Sequence, residues 1–457
     1  MRKTLSHIVV ALTALATCIG FLFGCKKDNL NVEGTFPKLT TSVAGRVVDL
    51  YNAPISDAVV TAGSVTTITD INGRFLIANA DFSSSTNFVK VKKTGFFPGS
   101  RTFFASGNVP NLKIKLIPKI ISGTFAASTG GTVDARGGGS ISIDPNAVVN
   151  ATTGATFAGN VSVSAFFLNP GDDGFNDYMP GDLRGITREN EQKMLKSYGM
   201  ISIEMNDAIG NRLQLASGKD ATITMPIPFF MQANAPETIA LWYFDESKGL
   251  WQEEGIAKRQ GSNYVGTVKH FSFWNCDVPT ESVELKVTFT NGKSPLSNML
   301  VTLTSATYGT KNGYTDNKGT VMGLVPANEG LVLKVFDECG EMIYSKNIGP
   351  FNADISLGTI NISSISRYGH FTISGTVVDC DNRPVTDGLV QVIRSGIYFN
   401  TAVVDGKFSI DIPRCTNVVP ITLVVYDLSN EGQNILHFDV DNDDQTMGTI
   451  KACGPLL

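Results

Sequence analysis

The chain has 457 residues, of which 17% are charged, and its 37 Lys and Arg against 42 Asp and Glu give a formal net charge of −5. This balance does not suggest nucleic-acid binding, which needs a clustered basic face. Runs rich in Val, Ile, Thr and Phe recur at spacings of about 8–12 residues between turn residues, a pattern typical of β-sandwiches. The composition therefore predicts an all-β chain, and at roughly 100–150 residues per domain its length predicts three or four domains.

The N-terminus carries a short apolar run between basic residues and a cysteine. Arg2 and Lys3 precede the mostly apolar residues 8–23, a run about as long as a signal-peptide core and short for a membrane span. The run ends at Leu22-Phe23-Gly24-Cys25, which resembles the lipobox of bacterial lipoproteins. The resemblance implies that Cys25 receives a lipid such as palmitate and becomes the first mature residue.

The same resemblance implies a location. Lys26 follows Cys25 in place of the Asp that retains many lipoproteins at the inner membrane. The resemblance therefore implies a lipid-anchored protein of the cell envelope, at the outer membrane. After Cys25 no apolar stretch is long enough to cross a bilayer.

The pattern of turns and strands divides the chain into six segments. The predicted segments are a signal peptide at 1–24, a tether at 25–40 and β-sandwich domains at 41–118, 119–279, 280–364 and 365–457.

Three of these domains repeat one plan of a strand, a proline turn, a second strand and a hairpin containing Asp and Gly. Nine residues separate Gly45 from Pro54, and nine separate Gly375 from Pro384. Alternating strands bury one face, Pro presets φ in the turn, and Gly accepts the positive φ of a tight hairpin. The copy in 280–364 follows the plan more loosely.

The copies in 280–364 and 365–457 match again further along. Leu333 and Gly358 are 25 residues apart, as are Leu423 and Gly448, and this equal spacing predicts a duplication. The three repeats resemble the carboxypeptidase-regulatory-like family, a transthyretin-like β-sandwich. The resemblance implies a tandem array of Ig-like or transthyretin-like sandwiches that act as accessory modules. The His-x-x-Glu zinc motif of the metallocarboxypeptidase catalytic domain is absent from this sequence.

Residues 119–279 form a different predicted unit, which contains all three Trp. Its opening, around Gly130-Gly131-Thr132-Val133, resembles the β-sandwich shared by ankyrins, netrin receptors and tight-junction scaffolds. Its closing segment resembles extracellular modules of the cartilage intermediate layer type. Residues 187–197 predict a short helical insertion, since Thr187 is a suitable N-cap and Gly199 a suitable stop.

The triplet His270-Phe271-Ser272 is a candidate for self-cleavage. In death-domain and inflammasome proteins that carry a similar sandwich, a His-Phe-Ser or related triplet cleaves its own backbone. Ser272 would attack the Phe271 carbonyl with His270 as the base, and the mechanism needs a strained peptide bond. The alternative is an ordinary strand with His270 and Ser272 on one face, and the sequence favours that alternative.

Trp242, Trp251 and Trp274 are candidate ligand-binding residues. Together with Tyr243 they could form a platform on which sugar rings stack, because flat aromatic faces suit pyranose rings. The alternative is core packing, since large aromatic side chains dominate sandwich interiors. Burial in the core is the favoured interpretation.

Five cysteines remain in the mature chain after removal of Cys18 with the signal and lipidation of Cys25. An exported chain can form disulfides, and an odd number leaves one thiol outside intramolecular pairing. Cys380, Cys415 and Cys453 share the last domain and allow three possible pairs. Cys339 aligns with Ser429 of the last repeat and has no partner in the repeat plan.

Metal and cofactor binding are not predicted. The sequence has no Cys-x-x-Cys pair. Residues 439–444 space carboxylates as a calcium loop does, but Asp444 replaces the required Gly and Ile450 the bidentate Glu, so an acidic turn is favoured.

The sequence therefore predicts a non-enzymatic lipoprotein of the cell envelope, which acts as a surface spacer, binding or adhesion protein. Its partners would be the membrane, through the lipid on Cys25, and a glycan or protein ligand, with no nucleic acid. A glycan-binding lipoprotein and a protein that cleaves itself between Phe271 and Ser272 are the alternatives. Cys25 would hold one end of a rod of β-domains.

Overall fold

The computed structural model describes residues 38–83, 86–104, 111–172, 174–297, 299–316, 318–363, 369–394, 397–415, 420–430, 432–440 and 443–454. The predicted signal peptide, Cys25 and nearly all of the predicted tether lie outside the described residues. Within them the chain is all-β, as predicted, and builds successive β-sandwiches.

The first sandwich consists of two facing sheets. Its three-stranded sheet has the order β4-β1-β7 and its four-stranded sheet the order β3-β2-β5-β6. The strands are β1 (Lys38–Val48), β2 (Val59–Ala62), β3 (Val65–Ile68), β4 (Arg74–Ser83), β5 (Thr86–Lys92), β6 (Gly99–Phe104) and β7 (Asn111–Lys115).

The second sandwich is larger and is built from one branched sheet of thirteen strands. Its longest strand, β14, pairs with β12, β13, β15 and β20. Its elements are β8 (Ile121–Ala126), β9 (Gly131–Asp134), β10 (Ser140–Ile143), β11 (Val148–Asn150), β12 (Asn160–Leu168), α1 (Phe175–Tyr178), β13 (Arg184–Ile186), β14 (Gln192–Asn206), β15 (Arg212–Leu215), β16 (Ala221–Pro226), a 3-10 helix (Phe229–Asn234), β17 (Thr238–Asp245), β18 (Leu250–Gln260), β19 (Asn263–Val268) and β20 (Phe273–Thr280).

The third and fourth sandwiches each contain seven strands. The third has β21 (Ser282–Thr290), β22 (Leu300–Ser305), β23 (Gly309–Tyr314), β24 (Thr320–Pro326), β25 (Leu331–Phe336), β26 (Met342–Ile348) and β27 (Ile355–Asn361). The fourth has β28 (His370–Val378), β29 (Gly388–Arg394), β30 (Ile397–Val403), β31 (Lys407–Pro413), β32 (Ile421–Asp427), β33 (Gly432–Phe438) and β34 (Gln445–Lys451).

The first, third and fourth sandwiches share one topology. In each, the first strand pairs antiparallel with the fourth and parallel with the seventh, and the other sheet has the order third, second, fifth, sixth. The proline of each turn forms the same bridge, to Val48, Thr290 or Val378 at or near the end of the first strand. The repeats seen in the sequence are therefore three copies of one fold.

The repeated glycine of the first strand has a packing role. Gly45 lies opposite Phe75, and Gly375 lies opposite Phe408. A Cβ on Gly45 would meet the Phe75 ring at 2.7 Å, and one on Gly375 would meet the Phe408 ring at 2.8 Å. The Phe ring thus lies over the glycine, and this cross-strand pair fixes the register of the two strands.

The Asp-x-x-Gly hairpin is held by its Asp side chain. In the first sandwich, Asp70 Oδ1 accepts hydrogen bonds from the amides of Asn72 at 2.9 Å and Arg74 at 2.7 Å. Gly73 has a φ of 71° and lies so close to β1 that a Cβ would stand 2.1 Å from the Val47 carbonyl oxygen. Asp316 makes the equivalent bonds in the third sandwich.

The predicted helix at residues 187–197 is wrong. Residues 187–191 form the turn of a hairpin between β13 and β14, in which the Thr187 hydroxyl accepts a hydrogen bond from the Glu191 amide at 3.1 Å. The side chain expected to cap a helix therefore stabilises a hairpin turn. β14 is mostly buried and pairs along its length, so tertiary burial outweighs the local helix signals.

The first and second sandwiches pack closely on one another. Phe97 and Ile117 of the first join a buried cluster with Trp242, Trp251 and Phe273 of the second. Alongside this cluster, Arg101 Nη2 lies 3.2 Å from Asp177 Oδ1, an ion pair that also spans the two sandwiches. Only Glu281 separates β20 of the second sandwich from β21 of the third.

The fourth sandwich contacts the first, so the described sandwiches do not form the extended rod that we predicted. Ala44 and Leu76 of the first sandwich pack with Leu389, Val424 and Tyr426 of the fourth in one buried cluster. The two sandwiches make contact because the outer faces of their sheets carry apolar side chains, and burying these side chains against one another is favourable.

We predict that Gly73→Ala destabilises the protein much more than Gly63→Ala. Both glycines have positive φ, but a Cβ at Gly63 meets nothing within 4 Å. The control should lose about 1 kcal/mol from the left-handed backbone. Gly73→Ala should lose an additional ~2 kcal/mol because the Val47 carbonyl must move. Denaturant unfolding would measure both, and equal losses would contradict the packing role of Gly73.

Candidate functional site

The His270-Phe271-Ser272 triplet lies in a bend between β19 and β20. It is therefore not part of the continuous strand favoured by the sequence. Gln214 holds the middle of the bend. The Phe271 amide donates to Gln214 Oε1 at 2.9 Å, and Gln214 Nε2 donates to the Phe271 carbonyl at 3.4 Å. The Phe271 side chain is buried in the core of the second sandwich.

The side chains of His270 and Ser272 bind different partners. His270 Nε2 lies 3.7 Å from Glu254 Oε2, and its ring packs against Tyr243 and Trp274. Burial lowers the pKa of His270, although Glu254 favours the charged form. The Ser272 hydroxyl donates to the Phe273 carbonyl at 3.1 Å. A nucleophile and its base normally share a hydrogen bond, whereas here each is engaged elsewhere.

The three Trp side chains belong to the interior, which corrects their candidacy as a sugar-stacking platform. Trp242, Trp251 and Trp274 are each 0% exposed. Each indole N–H donates to a backbone carbonyl, those of Asp277, Asp182 and His270 respectively. A fully covered ring has no face to offer a sugar, so no glycan site is formed by these residues.

The structure pairs four of the five cysteines predicted in the mature chain. Cys380 and Cys453 form a disulfide within the fourth sandwich. Cys415 bonds to Cys339 of the third sandwich instead of to a cysteine of its own domain. Cys276 is buried and unbonded. Cys339 aligns with Ser429 of the last repeat and so has no partner in the repeat plan, and its observed partner lies in a different sandwich.

A buried polar chain in the second sandwich was not anticipated from the sequence. The Ser197 hydroxyl donates to Asn275 Oδ1 at 2.8 Å, and Asn275 Nδ2 donates to Asp277 Oδ2 at 2.5 Å. Burial raises the pKa of the Asp277 carboxyl well above its usual value, against a smaller lowering by Ser197. The available signal was the pair of polar residues Asn275 and Asp277 on one face of an otherwise apolar strand.

The acidic turn lies partly outside the described residues, which omit Asp441 and Asn442. Asp444 Oδ1 accepts a hydrogen bond from the Thr372 amide at 2.8 Å. In the described part of the chain, no group of three His, Cys, Asp or Glu side chains is placed to hold a metal ion. The described segments also contain no helix of sufficient length and apolarity to cross a membrane.

Comparison with curated proteins finds similarity to cartilage intermediate layer proteins 1 and 2. A stretch of 119 residues, 26% of this chain, is 29% identical to cartilage intermediate layer protein 2 of Homo sapiens. A stretch of 113 residues is 31% identical to cartilage intermediate layer protein 1 of Homo sapiens. These matches span 10% and 9% of the two human proteins, so the chain covers about a tenth of the relatives it matches.

Comparison with solved structures finds bacterial pilins. The shaft pilin SpaA from Lactobacillus rhamnosus GG aligns with 39% of this chain and 99% of its own, at 11% identity and a TM-score of 0.21. BcpA, the major pilin subunit of Bacillus cereus, aligns with 90% of this chain and 99% of its own, at 9% identity and a TM-score of 0.15. Similarities at this sequence identity and TM-score carry no information about a shared ligand or assembly. No protein-family model matches the chain.

We predict that the protein does not cleave itself at Phe271-Ser272. Because His270 and Ser272 are held by separate partners, the hydroxyl lacks the base that would activate it. A denaturing gel of the purified protein should show one full-length band, identical in Ser272→Ala. Two fragments in the wild type that vanish in Ser272→Ala would refute this.

We predict that Asp277→Asn stabilises the protein at neutral pH. The folded-state pKa of Asp277 is raised, so the native state binds its proton more tightly than the unfolded state does. Its contribution to stability is full below the unfolded pKa of about 3.9 and is lost as pH rises. The free energy of unfolding of Asp277→Asn should therefore exceed that of the wild type increasingly from pH 4.5 to pH 8.

Asp245→Asn is the matched control for this pH series. Burial works against its charge, but hydrogen bonds from Ser247 and the Lys248 amide lower the pKa of Asp245 overall. Its stabilisation is present above the unfolded pKa and is lost as pH falls, so this variant should be less stable than the wild type at pH 8. A pH-independent difference for Asp277→Asn would contradict a raised pKa.

Proposed function

We propose that the protein is a non-enzymatic lipoprotein of the cell envelope, anchored through Cys25, whose four β-sandwiches form a compact binding or adhesion unit. The observation that carries the proposal is the way the sandwiches are joined. Buried clusters link the first to the second and the first to the fourth, and a disulfide links the third to the fourth. Such links suit a protein that presents surfaces in a fixed arrangement.

The disulfides support an exported protein. Disulfides persist in oxidising compartments such as the periplasm and the cell surface, and they are rare in the cytosol. The two disulfides and the N-terminal resemblance to a lipoprotein signal therefore both favour export from the cytosol. In this proposal the lipid on Cys25 anchors the protein in the outer membrane.

The repeated domains support binding over catalysis. Their shared seven-strand topology fits the resemblance to carboxypeptidase-regulatory-like modules, which accompany catalytic domains without doing chemistry. Their interiors are filled by their own apolar side chains. Contact with a partner would fall to the outer faces and the loops at the ends of the sandwiches. The contact between the first and fourth sandwiches favours a compact unit over a long spacer.

We predict that Cys25→Ser abolishes lipid labelling and membrane retention. Only a thiol at the lipobox position accepts the lipid, so the substituted chain has nothing to hold it in the bilayer. Expression in a bacterial host with a clickable palmitate analogue, followed by fractionation and a carbonate wash, would measure both properties. Cys18→Ser is the matched control, since Cys18 lies in the same N-terminal segment. It should be labelled and retained as the wild type is.

Two results would contradict the proposal. Labelling that persists in Cys25→Ser would place the lipid elsewhere, and unlabelled wild-type protein recovered in the soluble fraction would exclude a lipid anchor.

A further inference from the structure

We propose that the Cys339–Cys415 disulfide is a redox-sensitive clasp that keeps the fourth sandwich docked on the first. Its reduction would release the fourth sandwich and expose the docking face. We define the docking face as Leu389, Val424 and Tyr426 of the fourth sandwich with Ala44 and Leu76 of the first.

The docking face is visible in the burial of one strand. In β25 of the third sandwich, exposure alternates along Leu333, Lys334 and Val335, as expected for a sheet with one wet face. The equivalent strand of the fourth sandwich, β32, is buried on both faces. Val424, which aligns with Lys334, is 4% exposed, and Tyr426 is 3% exposed. The outer face of this sheet is therefore covered by another part of the chain.

The cover is the three-stranded sheet of the first sandwich. The Arg74 guanidinium lies 4.2 Å from the centre of the Tyr426 ring, a cation–π contact across the two sandwiches. The Arg74 backbone is held by the hairpin, where its amide donates to Asp70 Oδ1. On the fourth sandwich, Gln391 Nε2 donates to Asn400 Oδ1 at 2.9 Å, and both side chains are buried. The contact therefore combines an apolar centre with a cation–π contact and a buried Gln391–Asn400 hydrogen bond.

The docking face is small, so a link between the sandwiches must help to keep its two halves in contact. Its buried apolar centre consists of five side chains, two from the first sandwich and three from the fourth. Within one chain, however, a tether raises the effective concentration of the second surface into a range where weak contacts form. Each additional restraint on the fourth sandwich therefore strengthens its docking on the first.

The Cys339–Cys415 bond is such a restraint. Cys339 lies in the turn between β25 and β26 of the third sandwich, and Cys415 follows β31 of the fourth. Close by, His370 Nε2 lies 3.1 Å from Glu338 Oε2. The bond joins residues 76 positions apart, in addition to the backbone connection between the sandwiches. With both links in place, the fourth sandwich has fewer orientations relative to the third, and the docked one is favoured.

Reduction of the Cys339–Cys415 bond needs a dithiol. A thiolate of the dithiol attacks one sulfur of the bond and expels the other cysteine as a thiolate. The second thiol of the reductant then breaks the mixed disulfide. Cys339 and Cys415 end as thiols, having gained two electrons and two protons, and the dithiol ends as a disulfide. Both cysteines are half-buried, so part of each side chain is accessible to a reductant.

The Cys380–Cys453 bond provides the matched control. It links two exposed cysteines of the fourth sandwich and so crosses no boundary between sandwiches. The experiment compares the double variants Cys339→Ser/Cys415→Ala and Cys380→Ser/Cys453→Ala with the wild type. Each is used as the full-length lipidated chain in detergent micelles, and hydroxyl-radical footprinting with mass spectrometry reads the exposure of individual side chains.

Tyr426 reports docking, and Leu423 reports folding. Leu423 lies in the same strand but in the core of the fourth sandwich, where it is 0% exposed. In Cys339→Ser/Cys415→Ala the modification rate of Tyr426 should rise several-fold while that of Leu423 stays at the wild-type value. In Cys380→Ser/Cys453→Ala both rates should match the wild type. Dithiothreitol added to that control should then raise the Tyr426 rate, and reoxidation should restore it.

Three results would overturn the clasp. Unchanged Tyr426 protection in Cys339→Ser/Cys415→Ala would mean that docking needs no disulfide. An equal rise in both double variants would remove the special role of Cys339–Cys415. A parallel rise of Leu423 would mean that the bond stabilises the fold of the fourth sandwich instead of its position.

Discussion

The pairing of one strand with two neighbours closes each of the three seven-strand sandwiches. β1 runs antiparallel to β4 and parallel to β7, and β21 and β28 repeat this arrangement. The first and last strands of a repeat thus lie side by side in its three-stranded sheet. A parallel pair needs a long connection, and here the intervening strands of the sandwich supply it. In the first sandwich this three-stranded sheet carries Ala44 and Leu76 on its outer face, where they meet the four-stranded sheet of the fourth sandwich.

The repeats could be predicted because their signals act over a few residues. The glycine of the first strand, the proline of the turn and the Asp-Gly hairpin each satisfy local geometry, and the nine-residue spacing from glycine to proline is the same in the first and fourth sandwiches. The third sandwich is the looser match because Val287 and Val321 occupy the positions of the glycine and its Phe partner. Side chains of ordinary size there fill the same space in another way.

Residues 187–197 show where local signals fail. Thr187 and Glu191 can serve a helix cap or a hairpin turn, and the choice depends on whether β14 finds partners elsewhere in the sheet. The partner of Cys415 was missed for the same reason, since Cys339 lies in another domain, whereas Cys380–Cys453 is one of the three pairs left open within the last domain. The Trp residues were correctly favoured as core, because large aromatic side chains gain most from burial. One difference between aligned repeats does indicate the interface between sandwiches: Val424 of the fourth sandwich stands at the position of Lys334 in the third.

The contact between the first and fourth sandwiches also sets an order of events during synthesis. Ala44 and Leu76 emerge from the ribosome well before Leu389, Val424 and Tyr426 of the fourth sandwich. A chain that folds domain by domain must carry the apolar outer face of its first sandwich uncovered until the last sandwich is complete. During that interval the nascent protein exposes an apolar surface to which chaperones and other copies of the chain can bind. A truncation within the fourth sandwich would therefore leave this liability permanent, in a protein whose first three sandwiches had folded.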